Sequence, residues 1–313
     1  MKLHIYIIRR AFYSIPILLG VCLIIFLLFN FLAGDPTQVL LGKHATVEQM
    51  AEMRAQLGLD RPFYAQYLDL VKSVFTFDFG TSWSTKQDIF DMIKQGVGPS
   101  LSVSVPAFLL SFVVSISLAL VVAFYRGSFI DRFFVVFTVA LMSISSLAYI
   151  LFFQWFFAYK LDWFEISGYD FGFPNFIPYV MLPVIIWVIL GVGPDIRFYR
   201  TILLDEIYQD YVRTARAKGL SEKSIMFKHV LKNAMIQIIT YVIIQIPFLI
   251  LGALLLETFF SIPGLGGLVY NALNNNDFPV LRAMTAIIAF GVIIFNLIVD
   301  ILYTVVDPRV RLQ

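Results

Sequence analysis

At 313 residues, 59% hydrophobic and only 14% charged, with 32 Phe, the chain is too apolar for a soluble globular protein. A formal net charge of +2 does not speak to nucleic acid, because the basic residues are spent on topology, and a single cysteine, Cys22, excludes an intramolecular disulfide. Several runs of 18 or more apolar residues indicate an all-α polytopic membrane protein, with residues 1–313 as a single transmembrane domain.

Six spans are read in chain order: Ala11–Ala33, Leu101–Phe124, Phe133–Phe157, Phe176–Gly193, Ala234–Leu256 and Met284–Val306. Each offers about 18–25 residues, enough for a hydrocarbon core of about 30 Å. The fourth is the shortest, interrupted by Pro178, Pro183 and two glycines. Lys2, Arg9 and Arg10 give the first span a signal-like front. Its apolar run exceeds the roughly 7–15 residues of a signal core, so it is expected to remain as an anchor. Residues 34–100 form a long loop with helical signals of its own. Thr46-Val-Glu-Gln49 is a capping-box start and Leu57-Gly58 a stop. Asp60 and Pro62 open a second helix with Phe63, Tyr67, Leu70, Val71 and Val74 at helical spacing. Thr85-Lys-Gln-Asp88 opens a third, with Ile89, Met92 and Ile93 on one face. Such amphipathic helices can pack on the membrane surface and on each other.

Arg126 to Arg132 make a tight turn between spans two and three, and Trp163, Tyr169 and Phe171 sit at interface depth before span four. Pro16, Pro106, Pro183 and Pro247 are of the kind membrane helices tolerate; Pro247 with Gly252 can also kink span five beside a path that opens and closes. Residues 257–282 follow span five and begin Glu257-Thr-Phe-Phe-Ser-Ile-Pro-Gly-Leu-Gly-Gly267. Pro263, Gly264 and Gly266 suggest a partly re-entrant loop, with Glu257 as a lip residue of a substrate path or a cap for neighbouring backbone. Asp300 is the one carboxylate inside a span, placed to pair with a basic residue or to relay protons. Asn30, Gln154, Gln245 and Asn296 are candidates to line a polar route.

Orientation follows from Lys and Arg. With the N-terminus inside, fifteen of the 23 lie in inner segments, and six of the other eight fall in the long loop, whose length removes it from the vote. Both termini are therefore expected in the cytoplasm, with residues 34–100 outside. Residues 194–233 are then cytoplasmic and hold most of the inner charge. Between Gly193 and Met235 stand eight Lys/Arg against five Asp/Glu. A charge at the bilayer centre costs roughly 2.5–3.5 kcal/mol, so this segment stands in water. It reads as two short helices around Gly219: Asp205 or Asp210 caps the first, Ser221 caps the second, and Glu222 lies on the favourable side of the dipole. Ala215, Ala217 and Gly219 leave little bulk at the bend, while Arg213, Arg216 and Lys218 can meet an acidic rim. The plainer reading is a loop whose charges only set topology.

Asp210-Tyr-Val-Arg-Thr-Ala-Arg-Ala-Lys-Gly-Leu220, followed by His229-Val-Leu-Lys-Asn-Ala234, resembles the cytoplasmic signature loop of bacterial ABC-importer permeases of the dipeptide/oligopeptide/nickel family. Arg213, Thr214 and Ala215 stand where the general pattern has Glu-Ala-Ala; Gly219 and Leu231 match, and His229 and Lys232 replace Ile and Pro. Gly34-Asp-Pro36, Leu57-Gly-Leu-Asp-Arg-Pro62, Asp78-Phe-Gly-Thr-Ser82 and the Pro263-Gly264 stretch resemble the same family. The resemblance implies cytoplasmic coupling helices between spans four and five that dock an ATPase through Asp210, Tyr211, Arg213, Thr214, Ala215, Arg216, Ala217, Lys218, Gly219, Leu220, Ser221 and His229. It implies a second homologous permease subunit, two ABC ATPase subunits carrying ATP and Mg, an extracytoplasmic solute-binding protein, peptide cargo and the bacterial inner membrane. No cofactor is expected in this chain.

Enzyme chemistry is missing from the sequence. Gly42-Lys43-His44 lacks the spacing and hydroxyl of a P-loop; His4, His44 and His229 lie far apart, and neither H-E-x-x-H nor G-x-S-x-G occurs. A carrier or scaffold without an ATPase accounts for the spans but leaves the Gly219 elbow without a partner.

Overall fold

The computed structural model describes residues 3–31, 37, 41 and 45–306; side chains at 3–8, 11, 250–251 and 300–306 lie outside that description. Gly34-Asp-Pro36, Lys43-His44, the Asp300 side chain and the C-terminal residues after Val306 thus fall outside it. Among the described residues the regular elements are all helices: α1 Leu3–Phe31, α2 Val47–Gln56, α3 Phe63–Thr76, α4 Ile89–Phe124, α5 Phe129–Ser143, α6 Ser146–Phe153, α7 Ile177–Ile207, α8 Asp210–Ala217, α9 Glu222–Ile225, α10 Leu231–Leu251, α11 Leu254–Phe259, α12 Leu265–Asn274 and α13 Phe278–Val306. Among the described residues five stretches are long and apolar enough to cross a membrane, and a bent sixth completes the set if its two halves form one span.

The chain divides into two compact units, residues 1–98 with 263–313 and residues 99–262. In the first, α1 packs along α13 and α3 lies against α1. Leu70 and Val74 of α3 are buried with Leu18, Cys22, Ile25 and Phe26 of α1 and Ala286 of α13. The Tyr67 hydroxyl donates to the Leu19 carbonyl at 2.9 Å. The apolar stripe read from the loop sequence thus rests on the first span. Thr46 and Gln49 close the expected capping box of α2, and Gly58, at φ +67, lies just past its end.

Two apolar cores stand out among the described residues of the second unit. One joins α4, α6, α7 and α11 through residues such as Val103, Ile150, Ile186 and Leu256. The other joins α4, α7 and α10 to the residues between Gln209 and Val230.

Four sequence readings are corrected by the chain's geometry. The third loop helix is not separate: Asp88 accepts the Asp91 N–H at 3.2 Å, and α4 then runs 36 residues from Ile89 through Pro99 and Pro106 to Phe124. The third span bends by 87° between Ser143 and Ser146. There Ile144 and Ser145 are extended, and the Ser143 hydroxyl bonds back to the Val139 carbonyl at 2.8 Å. A serine-rich run with a β-branched residue favours such a break. The fourth span does not stop at Gly193: α7 continues to Ile207 and is about 46 Å long at 1.5 Å per residue. Asp195, Arg197, Arg200 and Asp205 therefore extend a rod. Span five ends at Leu251, because Gly252 adopts φ +70 and ψ −176, and α11 starts anew at Leu254.

Candidate functional site

The elbow around Gly219 bends where its sequence asks, but it departs from that reading at its first cap and in its second arm. Neither Asp205 nor Asp210 caps α8: Gln209 occupies the N-cap without a side-chain bond, and Asp210 is the first helical residue. At the other end the cap is complete. The Gly219 N–H donates to Arg216 O at 2.9 Å and the Leu220 N–H to Ala215 O at 3.3 Å, the two bonds of a Schellman motif. Gly219 takes φ +77, and a Cβ there would meet nothing within 4 Å, so glycine is required by conformation alone. Ser221 then caps α9 by accepting the Ser224 N–H at 3.4 Å. Instead of a second short helix, a π-turn over Met226–Val230 carries α9 straight into α10. The second arm of the elbow is the foot of a long apolar helix.

Three features stiffen the bend. The Arg216 guanidinium reaches across it to both Glu222 oxygens, at 2.7 and 3.2 Å. The Tyr211 hydroxyl donates to Glu206 at 2.6 Å, tying α8 to the end of α7. Burial, reinforced by that carboxylate, pushes the Tyr211 phenol up to about 12. The third is packing: Val212, Ala215, Ile225, Met226 and Val230 are buried in one core with Tyr199, Leu203 and Ile207 of α7, Ala119 and Ala123 of α4, and Ala234 and Ile238 of α10.

The opposite face is open. Asp210, Arg213, Thr214, Ala217, Lys218, Gly219, Leu220 and Ser221 are exposed, Arg216 and Tyr211 are half-buried, and His229 is half-buried on the π-turn. Leu220 and Phe227 are 41% and 60% exposed, placing apolar side chains beside Lys218, Lys223 and Lys228. The arrangement is a basic and apolar knob whose back is fused to three long helices.

The turn Arg126–Arg132 supports the same end of α7. Ser128 caps α5, and Asp131 accepts the Gly127 N–H at 2.9 Å. The Arg200 guanidinium grips Asp131 with both arms, Nε at 2.8 Å and a terminal nitrogen at 2.9 Å.

The other sequence candidates lie after α10. Glu257, in the second unit, is fully buried, and its Oε1 accepts the Ser100 hydroxyl at 2.7 Å. Its carboxylate lies over Gly252, where a Cβ would fall 1.9 Å from Oε1. Pro263, Gly264 and Gly266 belong to the first unit: Pro263 is exposed and both glycines are buried. Gly96 of α4 approaches this stretch so closely that a Cβ would lie 2.8 Å from Leu265 Cδ2 and 3.3 Å from the Gly264 carbonyl carbon.

Sequence reading missed a clamp in the first unit. Asp277, 1% exposed, accepts the Trp83 N–H at 3.0 Å and the Ser84 N–H at 3.2 Å, with the Ser82 and Ser84 hydroxyls. Burial alone would push this carboxyl up, but the hydrogen bonds from both serines and from the backbone outweigh it and hold it below the usual range. The signal was present as a lone acid after three asparagines, its partners nearly 200 residues away. Among the polar-route candidates, Asn30 bonds the Phe26 carbonyl, and Gln154 bonds the carbonyls of Ile166 and Phe259. Both are engaged with backbone. Among the described residues no three His, Cys, Asp or Glu side chains converge as a metal-ligand set.

Long apolar helices, with a polar knob fused to three of them, define an integral membrane protein. The model of the binding-protein-dependent transport system inner membrane component matches residues 111–312, and that of its N-terminal membrane component matches residues 3–104. The chain belongs to this family: it is a permease subunit of an ABC importer, resident in the bacterial inner membrane. It is 33% identical to a probable peptide ABC transporter permease protein, y4tP, of Sinorhizobium fredii, over 98% of this chain and 99% of that one. A glutathione transport system permease protein, GsiC, of Salmonella typhimurium is 31% identical over 98% of both chains. A dipeptide transport system permease protein, DppB, of Alkalihalophilus pseudofirmus is 29% identical over 98% of this chain and 99% of that one. Permeases of this family work with ATPase and binding-protein components.

Proposed function

We propose that the chain forms half of a translocation path for peptides, with a second homologous permease subunit as the other half. Two ABC ATPase subunits, which carry the ATP and Mg, seat on the elbows, and an extracytoplasmic solute-binding protein delivers cargo. Both termini and residues 194–233 face the cytoplasm, as the Lys/Arg asymmetry supports; residues 34–100 and 257–282 face outward. Docking runs through the exposed face of α8, the Gly219 bend and the start of α9, with Arg213 and Lys218 meeting acidic groups of the ATPase. Tyr211, Ala215, Arg216 and His229 hold the shape of that surface. Glu257, Pro263, Gly264 and Gly266 shape the outer end of the path.

One observation carries this reading: the knob is exposed on one face and, on the other, shares a single core with α4, α7 and α10. A surface loop that merely set topology has no need of that core. ATPase closure is converted to exposure of the path because the grip favours one arrangement of the helices over another. Cargo is assigned to peptides because the relatives named for peptide and dipeptide transport match along their whole length.

The test is co-purification of the tagged chain from its native membrane. Recovery of an ATP-binding subunit, lost on Arg213→Glu with the permease still folded, supports the reading. Absence of any ATP-binding subunit from the unaltered preparation overturns it.

A further inference from the structure

The second unit contains a carboxylate that neither the elbow nor the outer loop explains. Asp195 lies on α7 about 27 Å along the rod from Ile177, near the far edge of a hydrocarbon core about 30 Å thick. Its Oδ1 accepts the Tyr241 hydroxyl of α10 at 3.1 Å, and its Oδ2 accepts the Ser111 hydroxyl of α4 at 3.3 Å. Among the described residues no cation pairs with it; Arg197, two positions on, points its guanidinium at the Met142 sulfur, 3.9 Å away. Aromatic rings wall the site: Phe198 lies 4.1 Å from Tyr241, centroid to centroid, and Tyr199 meets Tyr241 edge-on at 5.9 Å. A carboxylate that takes a hydroxyl from each of two other helices and meets no cation among the described residues is not explained by apolar packing.

Directly before it, the chain reads Gly191-Val-Gly-Pro-Asp195. Pro194 has no N–H to give to the carbonyl four residues back, which leaves the rod compliant at that turn. The two glycines let neighbouring helices close in. A Cβ on Gly191 would lie 2.8 Å from the Ser111 hydroxyl, and one on Gly193 would lie 3.2 Å from Met142 Cγ and 3.4 Å from the Thr138 carbonyl. The same few residues thus hold a joint in α7 and, immediately beyond it, the group that ties α7 to α4 and α10.

The helices so tied are those that flank the elbow: α7 leads into α8, and α10 leaves the π-turn after α9. We propose that Asp195 is a positioning residue, a pin that joins α7, α4 and α10 below the Pro194 joint so that they and the elbow move as one lever. Without the pin, a pull on α8 is absorbed by sliding of α7 against α10. With it, the displacement passes to the joint and bends the upper part of α7. This inference rests on the elbow being the ATPase grip.

The experiment uses the assembled transporter in proteoliposomes with its binding protein, reading ATP hydrolysed and peptide accumulated in one sample. Tyr241→Phe removes a single oxygen and leaves the ring in place, so the variant keeps the core. It is expected to retain the ATPase subunits and their hydrolysis while peptide moved per ATP falls about tenfold, the scale of one hydrogen bond to a charged group. Asp195→Ala is expected to fall at least as far, and Asp195→Asn, which keeps a bond to each neighbour, to recover most of the ratio. An unchanged ratio in Tyr241→Phe overturns the pin. So does Asp195→Asn behaving like Asp195→Ala, which would assign the carboxylate a charge role such as contact with the cargo's ammonium group. If unaltered chains retain no ATPase, it is the elbow reading that fails instead.

Discussion

Replacing Gly252 with alanine tests the construction of the C-terminal end of α10 most sharply. Two costs arise together. Gly252 sits at φ +70 and ψ −176, a region essentially closed to residues with a side chain, and occupying it costs about 1–3 kcal/mol. The added Cβ also lands 1.9 Å from Glu257 Oε1, 2.8 Å from its Cδ and 2.8 Å from the Ser100 hydroxyl. Relieving that overlap displaces a fully buried carboxylate, which brings an overpacking cost of about 1–3 kcal/mol more. The total is roughly 2–6 kcal/mol. Heating the purified transporter and following its monodispersity by size-exclusion chromatography should show a clear downward shift in the midpoint for Gly252→Ala. The two parts separate in a double-mutant cycle. Glu257→Ala removes the overlap with the carboxylate, leaving the Ser100 contact and the strain, so the pair should couple by about 1–3 kcal/mol. A Gly252→Ala protein with unchanged thermal midpoint and uptake would refute both the backbone conformation and the placement of Glu257 over it.

Further outcomes follow from the clamp and the elbow. Asp277 is held below the ordinary carboxylate range, so its clamp stabilises the first unit fully above the unfolded-chain value near pH 4 and loses that contribution as pH falls through the lower folded value. Proteolysis of the Phe79–Gln87 loop should therefore rise in acid, and Asp277→Asn should be cleaved readily at neutral pH with a flatter pH profile. Gly219→Val forces a β-branched residue into the left-handed region at about 1–2 kcal/mol, whereas Gly219→Asn, at home there, should keep near-normal uptake in the same assay. Arg213 is 74% exposed in its side chain with only a loose pair to Asp210, so Arg213→Glu should leave the fold intact and weaken ATPase retention in a pull-down. Arg216→Glu should loosen the bend itself, because it breaks the grip on Glu222, and hydrogen exchange across residues 216–222 should rise.

Local chemistry was legible where neighbours in sequence settle it. The capping box at Thr46, the cap at Ser221 and the left-handed Gly219 need only residues three to five apart. The ends of the rods were less legible, because hydropathy registers where lipid stops and not where a helix stops. Gly193 and Pro194 ended the apolar run, yet Ile196, Tyr199, Ile202, Leu203 and Ile207 continue the buried stripe of α7 beyond it. That stripe is a periodic signal, and it was masked by the four charges interleaved with it. The bend at Ile144–Ser145 escaped for the opposite reason: composition stays apolar through it while the backbone turns by 87°.

Within the candidate site, the exposed face of the elbow could be read from spacing, but its mechanical back could not. The pairing of Asp195 with Ser111 and Tyr241, of Asp131 with Arg200 and of Asp277 with Ser82 through Ser84 joins residues between about 46 and 195 positions apart. No local pattern encodes such partners.

The sequence by itself determined that this chain is built of long apolar helices suited to lipid, and where its charged segment bends. Those properties follow from transfer free energies and backbone preferences that each residue carries alone or with its near neighbours. Tertiary structure alone decided which carboxylates are held, which rods share a core with the elbow and why Gly252 admits no side chain. Those depend on the close approach of helices remote along the chain, where a single atom more or less changes what can pack.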